Sequence, residues 1–137
     1  LNLATYNAVI QACAKGRNVS LAEEWWARMV IAQVKPNNVS YNSMINVCAQ
    51  ARQASLAEWW LVQMELEGTR PCVVSYGSVI DAFAKVGNVG QAESWLHRMR
   101  SVGLEADALI YNSLINACAK VGHSSKAESW LHEMELC

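Results

Sequence analysis

The chain has little of what interrupts a helix. Two prolines and seven glycines are spread over 137 residues, and β-branched runs are short, so helix is favoured throughout. It has no apolar run long enough to cross a bilayer, which argues against a membrane-spanning helix. Its five cysteines and three histidines show no C-x-x-C and no H-x3-H spacing. That disfavours a zinc site built from them with His97, His123 or His132, and an odd cysteine count does not suggest a disulfide framework. Eleven Lys and Arg stand against twelve Asp and Glu, a net charge of −1, which argues against a general polyanion binder. Nothing groups as nucleophile, base and orienting residue, so neither catalysis nor a cofactor or metal site is expected of this chain. There is no initiator methionine and no signal or transit segment at the start.

What the chain does have is a period. Thr-Tyr-Asn-Ala at 5–8 returns as Ser-Tyr-Asn-Ser at 40–43, Ser-Tyr-Gly-Ser at 75–78 and Ile-Tyr-Asn-Ser at 110–113. Tyr6, Tyr41, Tyr76 and Tyr111 are spaced by 35 residues, as are Trp25, Trp60, Trp95 and Trp130, and Met29, Met64, Met99 and Met134. A fixed step of this length indicates one supersecondary unit copied along the chain and stacked on itself. The repeats are read as 3–37, 38–72, 73–107 and a truncated 108–137. Residues 1–2 form the end of a preceding unit, because Leu1 and Asn2 fill the slots of Pro36 and Asn37. The expectation is a segment of a longer array.

Each repeat reads as two helices. Tyr6, Val9, Ile10 and Cys13 share one helical face. Gly16, Arg17 and Asn18 interrupt it. Ser20-Leu-Ala-Glu23 then resembles a capping box, as do Ser55-Leu-Ala-Glu58 and Ser125-Lys-Ala-Glu128, while the third copy starts on Gly90. Leu21, Ala22, Trp25, Trp26 and Met29 make the apolar stripe of the second helix, which Pro36 and Pro71 are expected to punctuate. Cys13, Cys48 and Cys118 share a slot with Phe83, so buried thiols are expected there. The tryptophans could stack on nucleobases. Their place beside Ala and Met, alike in every copy, fits packing between repeats better. The fold class is therefore all-α, an α-solenoid of eight helices in four antiparallel pairs.

The opposite face of the first helix is polar and varies between copies. Asn7, Gln11 and Lys15 lie at i, i+4 and i+8, followed by Asn42, Asn46, Gln50, then Gly77, Asp81, Lys85, then Asn112, Asn116, Lys120. This ridge is expected to face solvent. Amides both donate and accept, which suits base edges, and a row of ammonium groups suits phosphates. The first helices and their turns hold Lys15, Arg17, Arg52, Lys85 and Lys120 against Asp81 alone, while acidic residues concentrate on the second helices.

The Ser/Thr-Tyr-Asn opening, the Ala-x-x-Trp-x-x-x-Met second helix and the Pro-Asn or Ala-Asp ending, at a step of 35, resemble the pentatricopeptide repeat family over the whole chain. Tetratricopeptide repeats are the nearest rival, but their period is 34 and their tryptophan lies in the first helix. The resemblance implies a right-handed superhelix with the Tyr-bearing helices on its inner wall. It also implies single-stranded RNA as partner, one base per repeat, in chloroplast or mitochondrion. Carried over, the residues choosing the base are Asn7 with Asn37, Asn42 with Cys72, Gly77 with Asp107, and Asn112. The first pair points to cytosine over uracil and the second to a pyrimidine. In the third, Asp points to guanine while Gly supplies no side chain. The base-sandwiching residues would be Ala4, Val39, Val74 and Leu109, and the phosphate-contacting ones Lys15, Lys85 and Lys120. Other RNA-processing proteins are further possible partners. No membrane partner is implied, and the chain would act as a monomer or an array segment. The alternative from a different class is a protein-binding helical scaffold.

Overall fold

A computed structural model describes residues 2–136. Leu1 and Cys137, which the repeat reading places at the two ends, lie outside the described residues. Among the described residues there are eight α-helices and no strand. They are α1 (Leu3–Lys15), α2 (Val19–Ile31), α3 (Asn38–Gln50), α4 (Ala54–Leu66), α5 (Val73–Lys85), α6 (Val89–Ser101), α7 (Ala108–Lys120) and α8 (Ser124–Leu136). Turns of three residues, such as 16–18, join α1 to α2 and its counterparts. So short a connection forces each pair to run antiparallel.

The chain forms two compact units, Leu1–Pro71 and Cys72–Cys137. In the first, α1 packs on α2 and on α3, and α3 on α4. Its centre holds Ile10, Met29, Met44, Ile45, Leu61 and Met64, none of them exposed. In the second, α5 packs on α6 and α7, and α7 on α8, around Ile80, Leu96, Met99 and Leu114. Each repeat also carries an internal Tyr–Trp pair. Tyr6–Trp25, Tyr41–Trp60, Tyr76–Trp95 and Tyr111–Trp130 have ring centroids 6.2, 6.4, 6.1 and 6.2 Å apart. Tilted pairs of this kind contribute about 1 kcal/mol beyond their burial, and they tie the first helix to the second in the same way each time. Trp60, Trp95 and Trp130 are buried and Trp25 is half-buried, which is a packing role.

The helix boundaries correct two expectations. The second helices do not start on a serine capping box. Asn18 caps α2 by accepting the Leu21 N–H (3.1 Å), and Asn88 caps α6 by accepting the Gln91 N–H (3.2 Å). Ser20 and Gly90 therefore lie inside the first turn, and Gln53 precedes α4 with no side-chain cap. These two turns end on an asparagine, whose side-chain oxygen takes an orphan N–H of the first turn, so the residue two positions on already lies within the helix. Nor do prolines end the second helices. Gln33, Gly68 and Gly103 adopt positive φ (61°, 78° and 88°) and close α2, α4 and α6. The Val34 N–H then reaches back to the Met29 carbonyl (3.1 Å), a six-to-one bond that satisfies a terminal carbonyl. Pro36 follows a helix that has already stopped.

Asn18→Ala should cost about 1 kcal/mol of unfolding free energy. Ser20→Ala should stay within about 0.5 kcal/mol, as for a surface substitution. Urea unfolding of the two variants separates the two caps.

Candidate nucleic-acid interface

The first helices start on a shared device. Asn2, Asn37, Cys72 and Asp107 stand at the N-cap positions of α1, α3, α5 and α7. Asn2 Oδ1 accepts the Thr5 N–H at 3.0 Å, Asn37 Oδ1 the Ser40 N–H at 3.1 Å, and Asp107 Oδ1 the Ile110 N–H at 3.0 Å. In α3 the box is reciprocal, because the Asn37 N–H donates to Ser40 Oγ at 3.1 Å. The Cys72 N–H donates to Ser75 Oγ at 3.2 Å in the same way. The residue that closes one repeat is therefore the residue that starts the next helix.

That position is also one half of the first pair that the family resemblance leads one to expect to select a base. Asn7 Nδ2 donates to Asn37 Oδ1 at 3.3 Å, and Ser40 Oγ donates to Asn7 Oδ1 at 2.6 Å. Two side chains 30 residues apart in sequence thus meet directly, with Ser40 bonded beside them. Asn7 does not face solvent as the ridge pattern suggests, since it is only 6% exposed. The cap of α3 and Ser40 cover it, and a buried amide takes the partners it needs. Ser40 belongs to this site, and the sequence reading missed it. Its signal was the Ser three residues after the closing Asn, a capping-box spacing at the first helix rather than the second.

The other predicted residues distribute as follows. Asn42 is half-buried on α3, Cys72 is exposed, and Asn112 is exposed on α7. Val39, Val74 and Leu109 are exposed apolar side chains on the first turn of their helices, at 41%, 63% and 72%, and Ala4 is exposed at the matching place on α1. Lys15, Lys85 and Lys120 are the last residues of α1, α5 and α7. Lys15 and Lys120 are exposed, while Lys85 bridges Asp81 at 3.0 Å. Asp81 also accepts from Ser113 Oγ at 3.1 Å. Lysines at a helix C-terminus favour the helix dipole as well as any bound anion.

The pair Gly77–Asp107 is built differently. A Cβ placed on Gly77 would lie 3.4 Å from both Cγ1 and Cδ1 of Ile110. Ile110 occupies the slot that Ser40 has beside Asn7, and it is buried. The apolar side chain fills the space beside residue 77, leaving Asp107 at the cap.

The three buried cysteines, Cys13, Cys48 and Cys118, offer no chemistry here. Burial, with the Glu23 carboxylate adding to it, pushes the Cys48 thiol up to about 12. Burial also raises Cys13 and Cys118. All three stay protonated and poorly nucleophilic. Among the described residues no group of His, Cys, Asp and Glu is placed to hold a metal ion, and no helix is long and apolar enough to cross a membrane.

A double-mutant cycle tests the third pair. Gly77→Asn crowds Ile110, and Ile110→Ser empties its slot. Together they restore the arrangement of Asn7 and Ser40. The two should couple favourably by about 1 kcal/mol in urea unfolding, and simple additivity would contradict the assignment.

The sequence matches the family model described as the pentacotripeptide-repeat region of PRORP over residues 1–136. Among solved structures the chain is similar to the pentatricopeptide repeat protein PPR10 in complex with an 18-nt psaJ RNA element, at 27% identity and TM-score 0.91. That likeness covers 99% of this chain and 20% of the other, so the chain spans about a fifth of that relative's length. It is also similar to PPR10 from maize, at 25% identity and TM-score 0.84, covering 98% of this chain and 19% of that one. The PPR domain of Arabidopsis thaliana protein-only RNase P 1 in complex with tRNA matches at TM-score 0.82 and 18% identity, over 98% of this chain and 71% of that domain, a likeness of fold alone. No curated protein sequence matches. With the family model matching nearly its whole length, the chain belongs to the pentatricopeptide repeat family.

Proposed function

We propose that the chain binds single-stranded RNA along its first helices, one base per repeat, as a sequence-preferring module. The observation that carries this is the bond between Asn7 and Asn37. The residue after the opening tyrosine and the residue closing the repeat form one side-chain unit, as a two-residue code needs. Val39, Val74 and Leu109 supply apolar walls for stacked bases, and Lys15 and Lys120 supply exposed cations for phosphate. A relative of this fold holds an 18-nt RNA. Chloroplast or mitochondrial RNA processing, stability or translation is the setting we propose, on family grounds.

The burial of Asn7 shapes the mechanism. Its amide reaches a base by exchanging the long 3.3 Å bond to Asn37 for a bond to a Watson–Crick edge. Such an exchange is close to neutral, because one amide partner replaces another. Asn37 keeps its Oδ1 on the cap of α3, so its Nδ2 group is the half offered to the base. That donor can bond an acceptor on a base's Watson–Crick edge, and the pyrimidine preference is taken from the family resemblance. The proposed reading, N-terminal repeat toward the 5′ end, is pyrimidine, pyrimidine, guanine or any purine, pyrimidine. Asn112 reads the last base, and Gly77 leaves the third to Asp107.

Fluorescence anisotropy tests this with a longer array carrying these repeats and RNAs that differ at one base. Asn7→Thr should move the first preference from pyrimidine to adenine by about 1–3 kcal/mol. Lys15→Ala and Lys120→Ala should weaken every RNA alike and reduce the salt dependence. Indifference to Asn7→Thr at all four bases would contradict the reading, as would a changed base preference from the lysine variants.

A further inference from the structure

The two units solve the same packing problem in two ways, and the difference leaves a groove. In the second unit, Glu93 of α6 meets α8. The Trp130 Nε1–H donates to Glu93 Oε2 at 3.0 Å, and Lys126 Nζ donates to Glu93 Oε1 at 3.0 Å. Carboxylate, indole and ammonium satisfy one another. Two repeats earlier the same positions are Glu23, Trp60 and Leu56. The carboxylate and the indole remain, but the ammonium is gone.

Two further changes occur only there. Trp26 stands where the other repeats have Leu61, Leu96 and Leu131, and Trp59 stands where they have Glu24, Ser94 and Ser129. The Trp26 ring packs edge-on against Trp60 at 4.7 Å, and Trp59 lies perpendicular to Trp60 at 5.0 Å. Trp59 is 50% exposed, a large cost for a tryptophan without a partner. Glu23, Trp26, Ser55, Leu56, Trp59 and Trp60 line an open groove of about 720 Å³ on α2 and α4. The Trp60 indole N–H, which its counterpart Trp130 gives to a glutamate, is buried with no acceptor. An unmet buried donor of this kind calls for an explanation.

From this comparison we infer that the groove binds a lysine or arginine side chain of a partner protein, which takes the place that Lys126 holds in the second unit. The cationic head pairs with Glu23 as Lys126 pairs with Glu93. The alkyl stem lies on the apolar faces of Trp26 and Trp59, where a cation is attracted by the ring quadrupole. The phosphates of an RNA would oppose Glu23. The surface lies on the second helices, away from the proposed RNA-reading residues, so the two functions are compatible on one chain.

The test titrates this chain with acetyl-Leu-Lys-Leu-amide and with the same peptide carrying norleucine, which keeps the stem and removes the charge. Tryptophan fluorescence gives the affinity, and the Trp60 indole N–H resonance gives the place. The lysine peptide should bind about fivefold tighter, the scale of one exposed cation–aromatic and ion-pair contact. Glu23→Gln, at an exposed position, should erase that preference without changing the melting curve. Leu56→Lys supplies the missing ammonium within the chain and should abolish binding of both peptides. Equal binding of the two peptides, no binding, or a preference that survives Glu23→Gln overturns the inference. So does displacement of the lysine peptide by single-stranded RNA, or self-association of the chain that Leu56→Lys removes.

Discussion

The start of each first helix is the constraint on which the rest of the molecule turns. A helix leaves its first N–H groups without partners, and some side chain must take them. Here the residue closing one repeat does so for the next, as Asn2, Asn37 and Asp107 show. The best caps are Asn, Asp, Ser and Thr, small side chains that also recognise base edges. Under the proposed reading, fold and recognition draw on one short alphabet at one position. Substitution there changes two things together, the helix start and the base contact. Cys72 shows the weaker case, with a long 3.7 Å contact from sulfur to Ser75 Oγ where Asn37 makes a short one.

Packing then sets the register of everything else. The Tyr–Trp pair inside each repeat has nearly the same geometry four times. The repeated methionines Met29, Met64 and Met99 are fully buried behind it. Around this constant scaffold, two regions vary between copies in ways that alter the surface. One is the polar face of the first helices, where Asn7, Gly77 and Asn112 differ in size and exposure. The other is the outer side of α2 and α4, where Trp26 and Trp59 replace smaller residues and open a groove. The two faces are chemically opposed, the first amide-rich with terminal lysines and the second aromatic with a carboxylate.

Periodicity made the architecture readable before any coordinates. Tyr, Trp and Met at one step locate both helices and the apolar stripe, and the shared slot of Cys13, Cys48, Phe83 and Cys118 is buried as its chemistry suggests. Local competition was harder to read. Asn18 and Ser20 are both good caps two residues apart, and only the path of the turn decides for Asn18. Arg17 and Arg52 hold a left-handed conformation (φ 53° and 59°) that the second unit assigns to Gly87 and Gly122, so residue type alone did not mark that turn. Contacts between distant residues were not legible at all. The burial of Asn7 under Ser40, the space at Gly77 taken by Ile110, and the unmet indole of Trp60 each depend on which side chain arrives from the neighbouring repeat.

The central claim is that RNA lies along the first helices and exchanges with the Asn7–Asn37 bond. It is tested most directly by following side-chain N–H resonances while a single-stranded RNA is titrated into a longer array carrying these repeats. The account predicts that the Asn7, Asn37 and Asn42 side-chain amides shift on binding. It also predicts that the indole resonances of Trp60, Trp95 and Trp130, buried on the second helices, stay in place. Indole shifts with unmoved asparagine amides would place the RNA on the other face and contradict it.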